Sequence, residues 1–248
     1  MNTATIDIGN SRVKTDYWAD NGFLLREYDS ELSISKISEN IKNREIEGII
    51  VSSVRKDTDG FINDLRKESG CVVVNFNNDE IRDHYELSHY RGNIGSDRIA
   101  AFLGAEDLFG AIPMMIVDMG TAITIDIAGK DGEFYGGNIS LGLFTRLKAL
   151  AEKTSKLPRI NNFREACEFG VDTVSAIASG ALNGVIGEIS YSAELARKKY
   201  NIRLIVITGG DGEMIYDKLS VETKKFVDPY LVGRGLNSHL RKNYLNQQ

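Results

Sequence analysis

The stretch MMIVDMGTAITIDI, Met114 to Ile127, decides the fold of this chain. An apolar run ends in Asp118-Met119-Gly120-Thr121-Ala122, and an alternating run, Ile123-Thr124-Ile125-Asp126-Ile127, follows at once. A glycine turn between two β-patterned runs reads as strand, hairpin, strand. The same pattern stands near the start of the chain. Thr3 to Ile8 alternates, ends in Asp7-Ile8-Gly9-Asn10-Ser11 and passes into a strand from Arg12 to Trp18. Asp7 and Asp118 are 111 residues apart, well beyond the ~20–50-residue period of solenoid arrays. The spacing predicts a domain duplication, residues 1–110 and 111–248, with the boundary near residue 110.

Working outward, a third short strand is expected at Phe23 to Tyr28. Ile34, Ile37 and Ile41 fall on one helix face, with Ser30 as the expected N-cap. Gly48 to Val54 and Val72 to Phe76 read as strands, with a helix around Phe61 to Leu65 between them. The first half is therefore a hairpin-type β segment followed by β-α-β-α-β, a mixed sheet with helices on its faces. Asn77 to Ile94 is polar and reads as an irregular connection, and Arg98 to Phe109 as a helix. In the second half, a strand at Glu133 to Tyr135 is expected to break at Gly136-Gly137. Helices follow at Leu143 to Ala151 and Thr173 to Lys199, then a strand at Leu204 to Thr208 closed by Gly209-Gly210-Asp211-Gly212. A last helix, Leu231 to Tyr244, has the option of packing back across either domain.

Composition narrows the chemistry. The 248 residues carry 30 Lys plus Arg against 35 Asp plus Glu, a net charge of −5, with no basic tract; nucleic acid is not an expected partner, because phosphate neutralisation needs clustered cations. The longest charge-free stretch, Thr173 to Gly187, is 15 residues, short of the ~20 a membrane span needs. The N-terminal residues show no basic flank or apolar core of a secretory signal, so a cytoplasmic protein is expected. Two cysteines, Cys71 and Cys167, make neither a disulfide framework nor a four-ligand zinc site. The three histidines, His84, His89 and His239, are scattered in sequence. No phosphate loop of the G-x-x-x-x-G-K-[ST] type, no G-x-G-x-x-G, no H-E-x-x-H and no G-x-S-x-G occurs.

The paired turns carry the functional argument. Glycine at a strand end lets backbone N–H groups approach an anion, and an Asp there suits hydrated Mg²⁺ on phosphate oxygens. One such turn alone is an ordinary hairpin. Two, at matching places in duplicated halves, are expected to face each other across a cleft and hold one nucleotide's phosphates between them. Lys14 stands on the strand leaving the first turn, where it could reach a β- or γ-phosphate. Gly95-Ser96-Asp97-Arg98 opens a helix; Asp97 is either a cap or the base that accepts a substrate hydroxyl proton, with Arg98 available to an anionic group. Ala176, Gly180 and Gly184 recur every four residues, for close helix packing or as a pocket wall. Thr173 either caps that helix or binds substrate.

Taken together, these motifs resemble type III pantothenate kinases, members of the acetate and sugar kinase/Hsp70/actin superfamily. The resemblance spans essentially the whole chain in motif order: Asp7 to Ser11 with Lys14, Gly95 to Arg98, Asp118 to Asp126, Gly136 to Ile139, Thr154 to Pro158, and Thr208 to Gly210. It implies an α/β fold of duplicated actin-like, ribonuclease H-like type, with two domains, mixed sheets and a nucleotide cleft between the domains. It further implies ATP-dependent phosphorylation of pantothenate to 4′-phosphopantothenate, the first step of coenzyme A biosynthesis. Asp97 is then the base. Asp7, Ile8, Gly9, Asn10, Ser11, Arg12, Val13, Lys14 and Thr121 bind ATP, which arrives with Mg²⁺. Asp118 holds a monovalent cation, K⁺ or NH₄⁺, and Tyr90, Gly95, Ser96, Asp97, Arg98 and Thr173 line the pantothenate site. A homodimer is implied as well.

Two departures stand out. Tyr90 lies five residues ahead of Gly95 rather than about seven, with no proline in Arg91-Gly92-Asn93. Leu141 occupies the place of a family proline in Gly136-Gly137-Asn138-Ile139-Ser140-Leu141-Gly142. The alternatives on the same scaffold are a non-catalytic accessory regulator and a kinase for another small hydroxyl compound.

Overall fold

Ala4, Ile6 and Ile8 point to one face of β1 (Asn2–Ile8), and Thr3, Thr5 and Asp7 to the other; all six are buried. A strand covered on both faces belongs at the centre of a sheet, and β1 is central. On one side it pairs antiparallel with β2 (Val13–Ala19), which pairs with β3 (Gly22–Asp29). On the other side β4 (Ile46–Ser53) and β5 (Val72–Asn75) run parallel to it, giving the order β3-β2-β1-β4-β5. The computed structural model describes residues 1–55, 58–85, 87, 89–130, 133–160 and 168–246. Cys167 lies outside them.

Helix α1 (Ile34–Asn43) and α2 (Asp59–Ser69) place Ile37, Ile41, Ile62 and Leu65 against the Ile6 face. The N-cap of α1 is Ser33, not Ser30: the Ser33 hydroxyl accepts the Lys36 N–H at 3.4 Å, and Ser30 lies too far ahead of the first helical residue. The segment expected to be irregular contains a helix, α3 (Asn78–His84), whose start is fixed by Asn77 Oδ1 accepting the N–H groups of Asp79 and Glu80, both at 3.0 Å. Helix α4 (Ser96–Phe109) follows and is buried over most of its circumference.

Sequence order then leaves this sheet and builds a second one with the same plan. β6 (Met114–Met119) is central, β7 (Ala122–Ala128) pairs antiparallel with it and β8 (Phe134–Leu141) antiparallel with β7, while β9 (Leu204–Thr208) and β10 (Lys224–Val227) run parallel to β6, in the order β10-β9-β6-β7-β8. β8 runs through Gly136-Gly137 instead of breaking there. A register shift opposite Ile127 and Ala128 absorbs the irregularity, and Gly137 lies so close to the Ile125 carbonyl that no side chain fits. Helices α5 (Leu143–Lys153), α6 (Thr173–Tyr200) and the short α7 (Gly212–Tyr216) complete this part. Helix α6 turns Ile177, Ala181, Leu182, Val185 and Ile189 into the core. Ala176, Gly180 and Gly184 are exposed, with Gly170 close against the Ala176 backbone and Arg146 beside Gly184.

The last helix, α8 (Leu231–Leu240), continues into a π-helical turn, Arg241–Leu245. It returns to the first sheet, covering β1 and β4 and crossing α4. The chain therefore forms two units, Met1–Gly110 with Tyr230–Gln248, and Ala111–Pro229. Of the two packings open to the helix expected at 231–244, the structure takes the one against the first unit. Leu231, Leu236 and Leu240 are fully buried there. The crossing is glycine-mediated: a Cβ on Gly104 would lie 2.1 Å from the Leu231 carbonyl oxygen, and one on Gly235 would lie 1.8 Å from that of Ala100.

Candidate functional site

The first Asp-x-Gly turn sits at the carboxyl end of β1, where neighbouring strands run antiparallel on one side and parallel on the other. In open α/β sheets, ligands bind beyond the carboxyl ends of the strands. Ile8 pairs with Val13, and the Gly9 N–H closes the turn on the Arg12 carbonyl at 3.1 Å. Asn10, Ser11 and Arg12 are exposed. The Ile8 and Val13 side chains are buried, so these two can offer a ligand only their backbone. Asp7 faces Lys14 across the hairpin, with Nζ 3.2 Å from Oδ2. Arg55, at the end of β4, donates from Nε to the Gly9 carbonyl at 2.7 Å. Behind the turn, buried Asp16 is held by Arg26 through two hydrogen bonds of 2.5 and 2.6 Å. Burial pushes the Asp16 carboxyl up, against the pull of that guanidinium.

The second turn occupies the same position on β6. Asp118 pairs with Thr124 on the antiparallel side and with Thr208 on the parallel side. Thr124 thus stands where the first half has Lys14. Gly209 wraps the turn so closely that a Cβ there would lie 2.5 Å from Asp118 Oδ1, and its φ of +89° favours glycine. The Asp211 N–H reaches the Met119 carbonyl at 3.1 Å. From the other side, the Gly142 N–H (3.0 Å) and the Thr145 hydroxyl (2.7 Å) both bind the Thr121 carbonyl. Thr121 itself is exposed and Asp118 is half-buried.

Gly95-Ser96-Asp97-Arg98 forms the first turn of α4. Ser96 is buried, its hydroxyl 2.8 Å from that of Ser52 on β4, which fastens the helix start to the sheet. Arg98 is buried too, with Nη1 donating to the Tyr90 hydroxyl at 3.1 Å and the guanidinium 5.3 Å from that ring. Asp97 is half-buried and its Oδ1 accepts the Arg98 N–H at 2.9 Å. A Cβ on Gly95 would lie 2.4 Å from that same oxygen. The glycine makes room for the carboxylate. Thr173 does not cap α6: Asp172 does, through a reciprocal pair with Ser175 whose N–H holds the Asp172 carboxyl below its ordinary range. Thr173 is exposed beside it.

A model of the type III pantothenate kinase family matches residues 4–194. The chain belongs to this family. Among relatives named type III pantothenate kinase, that of Bacteroides fragilis (strain YCH46) is 31% identical, over 96% of this chain and 97% of the relative. That of Azobacteroides pseudotrichonymphae is 32% identical over 95% and 94%. Solved structures are similar in fold. A Campylobacter jejuni protein provisionally named a Baf family transcriptional activator gives a TM-score of 0.66 at 21% identity, covering 97% of this chain and 98% of that one. A ROK family glucokinase from Streptomyces griseus, solved with glucose and AMPPNP, gives 0.56 at 11% identity, covering 96% and 98%. The duplicated, actin-like α/β arrangement follows from these likenesses together with the two matched sheets.

Set beside that family, the structure joins Tyr90 to the G-x-D-R motif despite its shorter spacing. It also adds two groups that motif reading missed, Arg55 and Thr145, which brace the two turns together with Gly142 and Asp211 of the quoted glycine motifs. Their signal was topological: Arg55 follows β4, which lies beside β1, and Thr145 lies in the helix after β8, which spacing along the chain does not reveal. No helix among the described residues is long and apolar enough to cross a membrane.

Proposed function

We propose that this type III pantothenate kinase family member transfers the γ-phosphoryl group of ATP to the primary hydroxyl of pantothenate, giving 4′-phosphopantothenate and ADP. The observation that carries the reading is Asp97, a half-buried carboxylate set by Gly95 in the first turn of α4, beside the Arg98–Tyr90 pair. In the reaction, Asp97 accepts the hydroxyl proton as the hydroxyl oxygen bonds to the γ-phosphorus, and the bridging oxygen leaves with ADP. Positioning and charge stabilisation dominate such a transfer, because its transition state is largely dissociative.

The residues of each turn have the donors this assignment needs. Asp7 and Asp118 are hard oxygen donors at strand ends, which suit Mg²⁺ or K⁺ rather than a thiophilic ion. Asp7 to Lys14 and Thr121 are assigned to ATP, and Asp118 to a monovalent cation, K⁺ or NH₄⁺. Mg²⁺ carried with ATP supplies charge neutralisation on the phosphates. Lys14 exchanges its Asp7 partner for a phosphate oxygen. Tyr90, Gly95, Ser96, Arg98 and Thr173 are assigned to pantothenate, Ser96 by positioning the helix rather than by contact. A cytoplasmic homodimer belongs to the same reading. The test is ADP release with pantothenate against a panel of sugars and hydroxy acids, with and without K⁺. Pantothenate-dependent release is expected only with the cation; its absence under every cation refutes the assignment.

A further inference from the structure

Three histidines that are scattered in sequence are not all scattered in space. Glu80 and His84 lie four residues apart on α3, hence on one face, and His239 reaches them from α8. Each offers a ligand atom, and these atoms lie within 4.8 Å of one another. Glu80 Oε1 is 2.8 Å from His239 Nε2 and 3.1 Å from His84 Nδ1. Around a tetrahedral zinc ion with bonds of about 2.0–2.1 Å, neighbouring donor atoms sit about 3.3 Å apart, so both edges need only a small expansion.

The surroundings hold the donors in place. Tyr85 Oη lies 2.6 Å from His239 Nδ1, leaving Nε2 turned to the cluster. The Tyr244 hydroxyl bridges both Glu80 oxygens at 2.7 and 2.8 Å. Outer hydrogen bonds of this kind orient ligating imidazoles and carboxylates. The His239 side chain is fully buried while that of His84 is 29% exposed, so the cluster is closed behind and open in front. A surface groove whose charged lining is Asp79, Glu80 and Asp83 against Arg66 gives a cation a net acidic approach. His84 Nδ1 also lies 3.0 Å from the Glu80 carbonyl, a contact an incoming ion would replace.

We propose that Glu80, His84 and His239 bind a divalent transition ion of the zinc class, with water in the remaining position, and so clip α8 to α3. Imidazole with one carboxylate favours Zn²⁺ or Co²⁺ over Mg²⁺ and Ca²⁺. The proposal does not depend on the phosphoryl-transfer reading, and its test uses no substrate. Untagged, chelator-treated full-length protein is titrated with Co²⁺ and, separately, Zn²⁺, without nucleotide. One equivalent of Co²⁺ with the intense visible absorption of a four- or five-coordinate ion is expected, displaced by Zn²⁺. The thermal midpoint should rise with free Zn²⁺, since an ion that binds only the folded state stabilises it. His84→Gln, at an exposed position, should weaken Zn²⁺ binding at least about tenfold with an unchanged circular dichroism spectrum, and Glu80→Gln should do the same. Only weak six-coordinate Co²⁺ absorption, or Zn²⁺ binding unchanged in both variants, overturns the proposal and leaves a hydrogen-bonded cluster.

Discussion

Asp97 illustrates how one side chain is readied by its neighbours. Helix N-termini favour negative charge, and the closeness of Gly95 keeps its carboxylate folded over the helix start. Asp97→Asn preserves shape and removes the proposed base, so kcat should fall by about 10²–10⁴ while ATP affinity, measured calorimetrically, stays nearly constant; near-normal turnover would reject the base. Asp118→Ala should flatten the proposed activation by K⁺, and an unaltered K⁺ titration would remove Asp118 from that role. A third residue tests stability instead. Burial raises the Glu106 carboxyl above its ordinary 4.5, against the pull of Lys242. A carboxyl raised on folding is a penalty that switches on as pH climbs from 4.5 through the folded value, and vanishes below both. Glu106→Gln should therefore raise the thermal midpoint at pH 7–8 and lose that advantage near pH 4.

Among the elements, the α4–α8 crossing brings two helix backbones together with no room for side chains between them. Adding a methyl group at Gly235 or Gly104 drives it into a facing carbonyl, so either alanine variant should cost about 1–3 kcal/mol or more, read as a lower denaturation midpoint. This crossing also shows what sequence pattern hides. The hairpins at Asp7 and Asp118 were legible because alternation and a glycine are local signals. Helix α4 is buried nearly all round, which erases the one-sided periodicity that places a helix against its partner. Helix α3 was missed because its evidence is a single side chain, Asn77, accepting two N–H groups, within a polar stretch. β10 escaped because an edge strand of four residues, Lys224-Lys225-Phe226-Val227, alternates only partly buried positions. The candidate site divides the same way: Asp7, Asp97 and Asp118 are readable from their motifs, whereas Arg55 reaches Gly9 only because β4 lies beside β1. The turns also differ, Ile8 pairing with Val13 but Met119 with Ile123. The second hairpin is one residue shorter, and it lacks the lysine.

At the scale of the molecule, the only tryptophan, Trp18, is buried in the first unit, so tryptophan emission, excited beyond the tyrosine band, reports on that unit alone. Removing residues 230–248 strips away Leu231, Leu236 and Leu240, each worth about 1.5–3 kcal/mol when buried, against a total stability of about 5–15 kcal/mol. The truncated chain should show Trp18 emission shifted to the red, as for a solvated indole; native emission from it would show that the first unit holds without α8. The return of α8 to the first sheet also sets a timetable for synthesis. Domains generally fold as units while the chain emerges, the N-terminal one leading. Here the second unit is complete once Pro229 has emerged, while the first still waits for its closing helix. The half that the ribosome begins first is the half that finishes last, and until then β1 and β4 lack their α8 cover.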